Sequence, residues 1–207
     1  EEWARKNARA ITKPTLMINF ITISAPSGSG KTTLCKALQL VEPEIEWSIS
    51  YTTREKRSIE ENGVDYFFIS EEKFEDLIIQ GHFVEWQNVH GFYYGTSVSN
   101  LENAIKNDKI MLIEMDVKGS MRIKKLFPDQ TFSIFIMPPS ISQLRERLRS
   151  RGTDSEKRIN IRLKRFQEEM EFREKFDYVM INEDLDLAKI ELQKTINKLK
   201  QGVKSGT

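Results

Sequence analysis

One segment, Ala25-Pro26-Ser27-Gly28-Ser29-Gly30-Lys31-Thr32, constrains what this chain can fold into more than any other. It follows Phe20-Ile21-Thr22-Ile23-Ser24, whose β-branched and aromatic residues predict a strand. It precedes Leu34, Leu38 and Val41, spaced as one face of an amphipathic helix. Strand, glycine-rich turn and helix together predict a phosphate-binding loop. The glycines let backbone N–H groups curl around phosphate oxygens at the positive end of the helix. In such a loop Lys31 bridges the β- and γ-phosphates of ATP and Thr32 holds Mg²⁺. Ser27, Gly28, Ser29, Gly30 and Thr33 complete the ATP-binding candidates, and Ala25 stands where the first glycine is usual. The loop predicts nucleoside triphosphate binding. It does not separate a kinase from a GTPase, an ATPase or a binding module.

Further apolar runs, at Ile110–Met115, Phe132–Met137 and Tyr178–Ile181, read as buried parallel strands. Helical patterns lie between them: Ile141, Leu144 and Leu148 share one face, and Ile159, Leu163, Phe166 and Met170 another. Thr153 with Glu156 predicts a capping box for the second of these helices. Alternation of this kind implies an α/β fold, a parallel sheet with helices on both faces. Two stretches interrupt it. Residues 48–97 carry short β patterns and one helix, started by Ser70-Glu71-Glu72 and stopped by Gly81. Residues 143–165 hold seven Arg and two Lys against three acids. The expected organisation is an N-terminal extension (1–14) and a single domain (15–207). Within that domain a core (15–47, 98–140 and 163–207) carries a small mixed α/β lobe (48–97) and a helical lid (141–162).

The formal net charge of the 207 residues is +1, so no global field calls for nucleic acid or a membrane surface. Cys35 is the only cysteine, which rules out an intramolecular disulfide and a cysteine-rich zinc site and suits a cytoplasmic protein. No apolar run reaches the roughly 18 residues that a membrane helix needs.

The most specific text lies in the interrupting stretches. It comprises Ser48-Ile49-Ser50-Tyr51-Thr52-Thr53-Arg54-Glu55-Lys56-Arg57, then Asn62-Gly63-Val64-Asp65-Tyr66, Gly81-His82-Phe83-Val84-Glu85-Trp86 and Tyr93-Tyr94-Gly95-Thr96-Ser97. Asp116-Val117-Lys118-Gly119, Arg147-Leu148-Arg149-Ser150-Arg151-Gly152-Thr153 and Asn182-Glu183-Asp184-Leu185 follow. In order and spacing these motifs resemble the guanylate kinase family, from about Ile21 to about Leu192. Lys56, Ile59 and Glu114 depart from residues the family often has.

The resemblance implies a nucleoside monophosphate kinase, monomeric or homodimeric, that uses ATP, Mg²⁺ and GMP. It assigns GMP binding to Ser50, Arg54, Arg57, Tyr66, Glu85, Tyr94, Thr96 and Asp116. Guanine presents two donors, N1–H and the N2 amine, and one carboxylate accepts both, whereas adenine offers an acceptor at N1. Lys31, Arg54, Arg147, Arg151 and Arg162 are implied to stabilise the transferring phosphoryl group, with Arg147, Arg151 and Asn182 also on ATP. Arg145, Arg149, Arg158 and Arg165 read as a solvated helix face. The alternative is a catalytically inactive scaffold module of the same fold that binds phosphopeptides.

Overall fold

The computed structural model describes residues 18–89, 91–150, 152 and 155–201. In chain order the strands are β1 (Phe20–Ser24), β2 (Glu46–Trp47), β3 (Tyr51–Thr52), β4 (Phe67–Phe68), β5 (Phe83–Val89), β6 (Phe92–Ser97), β7 (Met111–Glu114), β8 (Thr131–Met137) and β9 (Tyr178–Ile181). The helices are α1 (Lys31–Val41), α2 (Glu71–Ile79), α3 (Val98–Lys106), α4 (Val117–Leu126), α5 (Ile141–Ser150), α6 (Glu156–Met170) and α7 (Leu185–Lys200).

Five strands form a parallel sheet in the order β2-β7-β1-β8-β9. β1 is central and buried throughout, which is why its sequence carries no polar face. Its alternate residues serve different layers. Ile21 and Ile23 join a core with Leu34 and Leu38 of α1 and Leu192 and Ile196 of α7. Phe20 packs on the other side with Leu101 and Ile105 of α3 and Ile123 of α4, where the Thr22 and Ser120 hydroxyls also pair. Helices therefore cover both faces. β7 and β8 flank β1 on either side, so the chain reverses direction across the sheet at β1. A crevice opens there, at the carboxyl ends of the strands.

A second sheet, in the order β4-β3-β6-β5, forms the small lobe. Its β5–β6 pairing is antiparallel, with an irregularity between Phe83 and Glu85. That bulge buries the consecutive residues Val84 and Glu85 where strict alternation would expose one of them. Phe74 of α2 stacks on Phe83 and Tyr93 beneath this sheet.

Several expectations shift. Helix α6 begins after Ser155, whose hydroxyl accepts from Arg158 N–H at 3.4 Å; Thr153 lies outside the described residues. Val41, the last residue of α1, is exposed. The chain buries Glu42 instead, where Lys200 donates to it at 2.7 Å and Gln193 at 3.2 Å. Ile141 opens α5 and is exposed, while Leu144 and Leu148 are buried with Ile159, Leu163 and Phe166 of α6. That shared core binds α5 and α6 into a hairpin. The lid boundary expected at 162 falls inside the unbroken helix α6. Residues 1–14 lie outside the described region.

Candidate active site

The predicted phosphate loop joins β1 to α1. Gly28 and Gly30 have φ of +100° and +88°, a region closed to most side chains. Gly30 is the N-cap of α1 and supplies no side-chain hydrogen bond, and the first turn of α1 holds no acid. The N-terminal amides and the positive end of the helix dipole therefore remain available to an anion. Two supports hold the loop from behind. Asn182 Nδ2 donates to the Ser29 carbonyl at 2.7 Å, so closely that a Cβ on Gly30 would collide with that amide. A Cβ on Gly28 would lie 2.8 Å from Leu144, so the loop also rests on the α5–α6 hairpin. Lys31 Nζ reaches back to the end of β7, 3.5 Å from the Met115 carbonyl and 3.6 Å from Glu114.

Across the crevice the lobe contributes a second set of groups. Glu85 is buried, and Thr96, its cross-strand partner, donates a hydrogen bond to Oε1 at 2.8 Å. Burial pushes its carboxyl up to about 7; the Thr96 bond opposes the shift, the Asp116 charge adds to it and Arg122 offsets it. Asp116 caps α4, accepting Gly119 N–H at Oδ1 at 2.8 Å. A Cβ on Gly119 would lie 3.0 Å from Glu85 Oε2 and 3.4 Å from Asp116 Oδ1, so both carboxylates crowd this glycine. Tyr66 and Tyr94 meet edge to face, ring centroids 6.0 Å apart, and burial is the main cause raising the Tyr66 hydroxyl well above its ordinary value.

One cavity of about 860 Å³ joins the two sets. Of the expected site residues it is lined by Ser27, Gly28, Gly30, Lys31, Thr32 and Thr33 of the loop. From the acceptor side it is lined by Ser50, Arg57, Tyr66, Glu85, Tyr94 and Asp116. Arg162 lines it as well and donates to the Ser27 hydroxyl.

Other expected residues sit elsewhere. Arg54 forks onto Glu60, with N–O distances of 2.8 and 3.0 Å, and lies over the Tyr66 ring at 5.5 Å. Burial works against its charge, but the Glu60 hydrogen bond and Tyr94 raise its pKa on balance. Thr96 and Ser29 are buried behind the cavity wall, Thr96 serving Glu85. Arg147 donates to the carbonyls of Asn182 and Glu183 at 2.9 and 3.3 Å, because the end of α5 leans over the start of α7. Asn182 is likewise buried as a buttress of the phosphate loop. Arg151 lies outside the described residues.

The solvated-face reading fails for Arg165, while Arg158 is exposed even though it borders the cavity. Arg158 and Arg165 line the cavity, and Arg165 bonds Glu169 at 2.9 Å and faces Asp116 at 3.6 Å. The spacing 158, 162, 165, 169 is one stripe of a helix and was the available signal. Arg145 and Arg149 do face outward, paired with Glu156.

The sequence pattern of the guanylate kinase family matches residues 17–199. The chain is 42% identical to the guanylate kinase of Carboxydothermus hydrogenoformans over 183 residues, 87% of this chain and 89% of the relative. It is 45% identical to that of Prochlorococcus marinus over 177 residues, 86% of this chain and 96% of the relative. The crystal structure of guanylate kinase from Anaplasma phagocytophilum superposes with a TM-score of 0.72 at 30% identity, covering 92% of this chain and 88% of that one. The match runs from before β1 into the last turns of α7, and the chain belongs to the guanylate kinase family.

Proposed function

We propose that this protein transfers the terminal phosphoryl group of ATP to GMP, reversibly, giving ADP and GDP. The observation that carries the reading is the pairing, within one cavity, of an uncapped glycine loop and Lys31 with the buried carboxylate of Glu85. The first chemistry suits triphosphate oxygens, and the second suits the paired donors of guanine.

On this reading the loop amides and Lys31 hold the β- and γ-phosphates of ATP. Arg57, with the Tyr66 and Tyr94 hydroxyls, holds the acceptor monophosphate. Arg54 acts beside them, exchanging part of its Glu60 pairing for phosphate. Arg162 lies between the two ends and neutralises charge on the phosphoryl group as it passes through a loose transition state. Arg147 and Arg151 join it from the lid. Glu85 accepts guanine N1–H and N2–H, supported by Ser50, Thr96 and Asp116. No strong base is required, because the acceptor is already an anionic phosphate. The 2′-hydroxyl is not called on by these contacts, so dGMP is a second acceptor.

Among the described residues no group of three or more His, Cys, Asp or Glu side chains is arranged to hold a metal. The donor set suits Mg²⁺ that arrives with ATP: Thr32 offers a hard hydroxyl oxygen in the first turn of α1, facing the cavity. Mg²⁺ held there would supply positive charge that offsets the charge of the phosphates. Among the described residues no helix is long and apolar enough to cross a membrane. The lid is taken as the whole α5–α6 hairpin, since the two helices share one hydrophobic core.

Phosphorus NMR of protein with MgATP and GMP tests the reading: the β-phosphate signal of GDP should grow as ATP is consumed. An inactive scaffold would bind GMP without consuming ATP. A second expectation concerns Gly119. Gly119→Ala should keep or raise the thermal midpoint, since alanine favours a helix by about 1 kcal/mol. Its methyl group would stand 3.0 Å from Glu85 Oε2 and press on that oxygen, so the KM for GMP should rise severalfold, up to about the tenfold expected for losing one hydrogen bond to a charged group. Paired steady-state assays and melting curves would check both effects, and an unaltered KM for GMP would refute the crowding argument.

A further inference from the structure

Helix α6 crosses the crevice and meets both ends of it. Arg162 touches Ser27 of the phosphate loop, and Arg165, less than one turn further on, faces Asp116 of the acceptor wall. The Arg165 side chain is 28% exposed and meets two acids, Glu169 and Asp116. Its Nε donates to Glu169 at 2.9 Å, and its NH2 lies 3.6 Å from Asp116 Oδ2. Glu169 is itself buried, so the fork is aimed from a fixed base and not waving in solvent.

Asp116 has divided duties. Oδ1 accepts Gly119 N–H as the α4 cap, and Oδ2 is the oxygen that faces Arg165. Glu85 crowds the same glycine, so two carboxylates share one confined space. Like charges in such a space repel, and the Asp116 charge disfavours ionisation of Glu85. The groups that face Glu85 are the Thr96 hydroxyl from β6, and Asp116 and Arg122 from α4. Those that face Asp116 from α6 are Arg165 and, behind it, Glu169.

We propose that Arg165 is a positioning residue for recognition of the acceptor base: it ties the Asp116 carboxylate to helix α6 and so lets Glu85 present its own carboxylate to the base. The inference rests on the reading that GMP is the acceptor. It also links the two substrate sites mechanically, because the helix that carries Arg165 is anchored through α5 to the phosphate loop. A merely structural ion pair would stabilise the hairpin without distinguishing the two substrates.

Arg165→Ala and Arg165→Lys, compared with the wild type, test this. In Arg165→Ala the KM for GMP should rise about tenfold and the KM for ATP by less than about twofold, as for the loss of a charged partner from the acceptor wall. The acid limb of kcat/KM for GMP should move to higher pH, because the Asp116 charge then acts on Glu85 without its cation. Arg165→Lys keeps the charge without the fork, so it should restore the limb but only part of the KM. An unshifted limb and an unaltered KM for GMP in Arg165→Ala would overturn the proposal. So would equal losses for both substrates with a lowered thermal midpoint, fully rescued by lysine. A wild-type protein inactive on GMP would instead overturn the underlying reading, whatever the variants do.

Discussion

Lys31→Ala is expected to lower kcat for ATP-to-GMP transfer by about 10²-fold or more, the scale seen when one preorganised charge partner of a transition state is removed. The lysine is held in place by the end of β7, through Met115 and Glu114, so its ammonium stands between the loop and the acceptor wall. Arg162 approaches from α6, a different direction, and is bonded to Ser27. GMP binding should survive, because Glu85, Arg57 and Tyr94 belong to the other wall. Rapid-quench turnover with calorimetric GMP titration separates the two effects. Turnover near wild type in Lys31→Ala would contradict the assignment of the loop.

Glu85 variants should show the second large effect, and its sign depends on pH. A hydrogen bond to a charged group contributes roughly 1.5–3 kcal/mol, so Glu85→Ala should lower kcat/KM for GMP by about 10- to 100-fold or more. In the wild-type protein the carboxyl is held up to about 7, chiefly by burial, and the guanine donors need the ionised form. The kcat/KM for GMP should therefore fall about tenfold per unit below pH 7, since that ratio reports the free enzyme. The second ionisation of a phosphate monoester, near 6, lies lower. Linkage gives an independent check. A folded pKa raised above the unfolded 4.5 means that the native state holds its proton more tightly, so stability falls as pH rises from about 4.5 through 7. Glu85→Gln removes that loss, on the order of 3 kcal/mol by pH 8 from a shift of this size. Its thermal midpoint should exceed that of the wild type at pH 8 and approach it at pH 5. A gap that stayed constant across this range would mean that Glu85 is not a buried, high-pKa acid.

Legibility in the sequence followed how local each signal is. The phosphate loop, β1, β8, β9 and the cap at Ser70 were readable because contiguous residues determine them. β2 has two residues and too little pattern to detect. The start of α6 was misplaced because Thr153 and Ser155 are both competent cap residues, and the described contacts give the role to Ser155. Arg165 was read as surface because a basic stripe on an amphipathic helix looks the same whether it meets water or a crevice. Only the docking of α6 against the α4 cap decides that. Arg147 and Asn182 show a related ambiguity. The resemblance puts them on the nucleotide, and both also donate to backbone carbonyls, just before α7 and in the phosphate loop. Polar residues near a loop serve either the ligand or the loop, and sequence alone does not separate the two.

The most direct test of the account is an initial-rate assay of ADP formation with MgATP and, in turn, GMP, AMP, CMP and UMP as acceptors. A buried carboxylate facing two guanine donors predicts that GMP is preferred in kcat/KM by about 10⁴-fold over AMP, as for sites built around substrate hydrogen bonds. Comparable rates with GMP and AMP, or no ADP formation with GMP, would contradict it.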